Sequence, residues 1–99
     1  MRAYVQDTAR RWMQFQASHA LVAGELRELV LSVCGDMSNV SRKKQVEAMT
    51  ASDQFKKLSK IALQHKELLG IRDDTERELA LWVRTICFCS VLATSKDAR

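Results

Sequence analysis

Nine side chains between positions 5 and 33 constrain this chain more than any other feature. Val5, Thr8, Trp12, Phe15, His19, Val22, Leu26, Leu29 and Val33 follow one another at alternating steps of three and four residues, without a slip. Strands repeat every second residue, so no β arrangement yields that spacing; it is the seam of a helix packed along a heptad line. The seam predicts one helix over 3–34, about 48 Å long at the helical rise. Gly35 stands where a left-handed residue closes a helix, and Asp36-Met37-Ser38-Asn39 is turn chemistry. Composition agrees. The 99 residues include no proline and three glycines, whereas a small all-β domain needs a turn about every 8–12 residues. No Val/Ile run lies beside a glycine-rich loop, which argues against a βαβ enzyme core.

Two further helices complete an all-α reading with a single domain over 1–99. The second spans 41–69, where Leu58, Ile61, His65 and Leu68 resume the seam, and Thr50-Ala51-Ser52-Asp53 marks a point of interruption. Thr75 with Glu78 three residues later is a capping box, which starts a third helix over 74–94. Against that restart, the 58–68 seam stays in phase through Leu79, Trp82, Ile86, Cys89 and Ala93, and one glycine inside a helix costs only about 1 kcal/mol. Two layouts remain: an elongated antiparallel three-helix bundle, or a helical hairpin whose second arm is about 80 Å long. Both are coiled-coil-like, and both suit a dimer.

The stretch 79–93, LALWVRTICFCSVLA, is apolar on nearly every side. One stripe suffices for a helix in a small bundle, and a helix apolar all round is wholly covered. A slender three-helix chain leaves part of it bare, so Leu81, Trp82, Phe88, Val91 and Leu92 are expected to meet a partner. That partner is a second copy of the chain or another helical protein. The stretch is too short for a membrane span, which takes roughly 20 residues, and it carries Arg84 inside.

The formal net charge is +4. Its excess lies in 41–69, where seven basic residues face three acidic ones. Arg42, Lys43, Lys56, Lys57, Lys60 and Lys66 fall on outer positions of the second helix and form a basic ridge. A ridge of this kind binds phosphate groups, whether of an anionic membrane surface or of RNA. Only Phe55 lies among the lysines, so base stacking has little to work with, and no nucleic-acid motif is present. Cys34, Cys87 and Cys89 form no CxxC pair, and the first 15 residues lack the apolar core of a signal peptide. Reduced thiols and a cytoplasmic setting are expected, with peripheral attachment to a membrane as the variant the ridge allows.

No catalytic constellation is legible: there is no HExxH, P-loop or GxGxxG, and Asp73, Asp74, Glu76 and Glu78 suit a helix N-terminus. No enzyme activity, cofactor, metal or small-molecule substrate is expected. His19 and His65 both sit on the seam. If two continuous helices pair about a turn at 35–40, the two rings lie about 13 Å apart along the axis. The same counting separates Cys34 from Cys87 and Cys89.

The helix ending GELRELVLSVCGDMSNV, the basic stretch SDQFKKLSKIALQHKELL and the apolar segment that follows it resemble, over roughly 15–99, part of a BAR-type domain such as those of sorting nexins. The resemblance implies a crescent-shaped dimer whose cationic concave face binds anionic lipid, a role that would fall to Lys56, Lys57, Lys60 and Lys66. Spectrin-like three-helix repeats are similar in size, with Trp12 in the first helix as the shared feature.

Overall fold

The computed structural model describes residues 2–97, with side chains described for 3–89. They form six helices: α1 Arg2–Ser18, α2 Ala20–Asp36, α3 Arg42–Thr50, α4 Asp53–Gln64, α5 Lys66–Leu69 and α6 Glu76–Asp97. No strand occurs among the described residues. The all-helical expectation holds, whereas the three long helices do not.

The helix expected over 3–34 is two helices joined at His19, whose backbone (φ −134°, ψ 57°) leaves the helical region. The neighbouring bonds survive: His19 N–H donates to the Phe15 carbonyl at 2.7 Å, and His19 accepts from Ala23 N–H at 2.8 Å. Ser18 Oγ folds back onto the Gln14 carbonyl at 3.1 Å, the kind of back-bonding that bends helices. Beyond His19 every other seam position moves on by one residue. Thr8, Trp12 and Phe15 are buried on α1, then Ala23, Leu26, Val30 and Val33 on α2, while Val22 and Leu29 are only half-buried. Gly35 is no left-handed cap either, because α2 runs on to Asp36 and closes through Met37.

The helix expected over 41–69 is three helices. Thr50 Oγ1 donates to the Glu47 carbonyl at 2.9 Å where α3 ends, and Ser52 caps α4, whose Phe55, Leu58 and Ala62 are buried. The single turn of α5 ends at Gly70, left-handed at φ 78°, ψ 21°. Ile71 N–H donates to the Lys66 carbonyl at 2.9 Å and Gly70 N–H to that of Glu67 at 3.3 Å, the paired bonds of a Schellman closure. A Cβ at position 70 would lie 2.6 Å from Cδ of Arg11, a flexible side chain that can move aside, so it is the φ that calls for glycine. The chain therefore reverses at Gly70, and the 80 Å arm does not form. Thr75 Oγ1 accepts from Glu78 N–H at 3.2 Å, one half of the capping box, while Glu78 Oε2 accepts from Arg72 N–H at 3.5 Å.

α6 packs against α1, α2 and α3. Leu79, Ala80, Trp82, Val83 and Ile86 are buried among them, with Trp12 meeting Trp82 edge-on at 6.0 Å. The molecule measures 34 × 32 × 27 Å with a radius of gyration of 12.8 Å, as compact as a globular chain of this length. Elongation is thus corrected. Breaks at His19, at 51–52 and at Gly70 give six short helices, of which α1, α2 and α3 pack on α6 while α4 packs chiefly on α2.

Candidate functional site

The residues singled out from sequence fall in three separate places. On α6, Trp82 is 1% exposed and belongs to the chain's own core, so it offers no partner surface. Its indole Nε1 is buried without a hydrogen-bond partner. Leu81 (37% exposed) and Phe88 (57%) do reach solvent; they lie seven residues apart on one line of the helix, with exposed Arg84 between them. The side chains of Val91 and Leu92 lie outside the described residues. Most of the described part of this segment is covered by α1–α3, which removes most of the apolar excess that motivated a partner.

The basic residues are all exposed and are divided among three helices: Arg42 and Lys43 are on α3, Lys56, Lys57 and Lys60 on α4, and Lys66 on α5. Lys57 and Lys60 line one wall of an open groove of about 550 Å³, whose other wall carries Glu25 and Glu28 of α2 above a floor of Leu29 and Ile61. Among the described residues no ion pair spans it; the two found join Asp7 to Arg10 and Arg11. The groove therefore presents both signs of charge. Sequence reading missed it because Glu25 and Glu28 were never set against the lysines, although each pair sits beside an apolar residue on the flank of its own helix.

The third place joins residues that helix counting kept apart. His19 and His65 have ring centroids 5.5 Å apart, with planes tilted by 60°. Phe15 stacks on His19 at 4.8 Å and 5°, and meets His65 edge-on at 5.3 Å. Ser18 Oγ lies 2.8 Å from His19 Nδ1. Each histidine occupies a helix joint: His19 between α1 and α2, His65 between α4 and α5. The 13 Å expected from two continuous helices fails because both helices break at these residues. The separation of Cys34 from Cys87 is corrected for a similar reason. α6 returns across α2 and brings Cys87 close enough to act on Cys34, both as free cysteines. Burial, then the neighbouring Cys87, pushes the Cys34 thiol above its ordinary range, and burial raises Cys89. Both favour the inert thiol over the nucleophilic thiolate.

Among the described residues no group of three or more His, Cys, Asp or Glu side chains converges as a metal cage. No helix there is long and apolar enough to cross a membrane. Neither a family model, nor a curated protein, nor a solved structure matches this chain.

Proposed function

We propose that this chain is a non-enzymatic helical interaction module that pairs with a second copy of itself through the exposed line of α6. The observation that carries this reading is the exposure of Leu81 and Phe88 on a helix whose other apolar residues from Leu79 to Ile86 are buried. Covering a Leu or Phe side chain stabilises by roughly 1.5–3 kcal/mol, and a twofold pair covers the patch on both copies. Sedimentation equilibrium of the full chain tests it. A dimer is expected, converted to a folded monomer by Leu81→Glu with Phe88→Glu. A wild-type chain that stays monomeric up to about 100 μM would end the proposal.

A second reading, binding to anionic lipid headgroups, draws support from Arg42, Lys43, Lys56 and Lys66, which are exposed and unpaired among the described residues. Lys57 and Lys60 contribute less, since Glu25 and Glu28 stand opposite them. Salt separates the two readings. Vesicle binding should collapse between about 50 and 200 mM salt, while α6 pairing should hardly change.

A further inference from the structure

We propose that His19 and His65 form a two-histidine site for a divalent transition-metal ion of the nitrogen-preferring class (cobalt, nickel, copper or zinc). The first support is the separation. An imidazole nitrogen binds such an ion at about 2.0–2.1 Å, which places the metal about 3 Å from the ring centre. Two rings sharing one tetrahedral ion then have centres about 5 Å apart, against 5.5 Å here.

The second support is the tautomer. Ser18 Oγ has one proton and lies 3.1 Å from the Gln14 carbonyl, 3.5 Å from that of Phe15 and 2.8 Å from His19 Nδ1. When the proton goes to either carbonyl, Nδ1–H donates to Oγ. That leaves the lone pair of His19 on Nε2, the form in which histidine ligates a metal, with its other nitrogen held by an oxygen as metal-bound histidines usually have it.

The third support is availability. Neither Nε2 of His19 nor either ring nitrogen of His65 makes a hydrogen bond among the described residues, and none is buried as an orphan. Phe15 fixes both rings by its stacked and edge-on contacts, so little freedom is lost on binding. No third protein ligand converges there among the described residues, and water completes the shell. Neutral imidazoles with water favour these ions over magnesium or calcium. One bound ion would tie the α1–α2 joint to the α4–α5 joint.

The test uses the full chain, stripped of metal and kept reduced. Cobalt(II) is expected to bind one to one, with visible d–d bands and no sulfur charge-transfer band. The melting temperature should rise with the ion. His19→Gln and His65→Gln should each weaken binding at least tenfold, and Ser18→Ala, which frees the tautomer, by about tenfold. Zinc(II) added to the wild-type chain should move the ring-proton resonances of both histidines, a readout that needs no variant to fold. No binding at about 100 μM ion, a sulfur band placing the ion on the cysteines, or resonances that move for one histidine or neither would each overturn the proposal.

Discussion

Helices stop at Gly70 and at His19, and different forces stop them. At Gly70 the cause is local: a left-handed backbone and a Schellman pair of bonds. At His19 there is neither glycine nor proline, and the residues on both sides read as helix. What holds that joint is tertiary. Phe15 stacks on His19 and meets His65, while Ser18 bends the preceding turn. A break enforced by the backbone should survive loss of its neighbours, and a break enforced by packing should not.

The largest effect is expected at the packed joint. Phe15→Ala removes a buried ring from the centre of the cluster and should cost about 3–5 kcal/mol in denaturant unfolding. The two histidine ring systems should also lose their mutual shielding in the proton spectrum. If they keep it, the joint is held by something other than Phe15. At the turn, Gly70→Ala should cost about 2 kcal/mol through its positive φ and its clash with Arg11. Adding Arg11→Ala should restore only the clash portion, and full recovery would mean that φ is not the dominant constraint. Thr75→Ala, which removes the cap where the chain restarts after the turn, should cost about 1 kcal/mol.

The smallest effect is expected at Asp7. Hydrogen bonds from Arg11, then from Arg10, hold its carboxyl below the ordinary carboxylate value. Arg11 in turn lies over Gly70 and donates to the Glu67 carbonyl at 3.4 Å. Because the folded carboxyl titrates lower, the unfolded chain takes up the proton first as pH falls. The contribution is complete above the unfolded value of about 3.9 and is lost as pH drops through the lowered one. The melting-temperature gap between wild type and Asp7→Asn should therefore be small at neutral pH and close by about pH 2. A gap that widens in acid would reverse the assigned sign.

The same contrast explains what could be read in advance. Gly70, the Thr75–Glu78 box and the polar run at 50–53 are local signals, and each marks a real boundary. Trp12, Phe15, Leu26 and Val33 were placed correctly on the buried side, because any helix there buries them. Val22 and Leu29 yield their positions to Ala23 and Val30, while Leu26 and Val33 keep theirs, because a joint at His19 rotates the buried stripe by part of a residue step. That joint depends on His65, 46 positions away in the chain, and no local window contains both residues. The histidine pair, the Cys34–Cys87 contact and the α2–α4 groove were hidden for the same reason. Each is made by helices whose relative placement follows from the breaks.

The position of α6 has a consequence for biosynthesis. Ribosomes deliver α1 to α5 first, and α2 can pair with α4 at once, but the faces of α1, α2 and α3 that meet α6 stay open until residues 76–89 emerge. At about 5–20 residues per second, the nascent polypeptide spends on the order of seconds with Trp12 lacking its Trp82 partner. Closure of that face is a late event, and the interval before it is when a holding chaperone would find the most to grip.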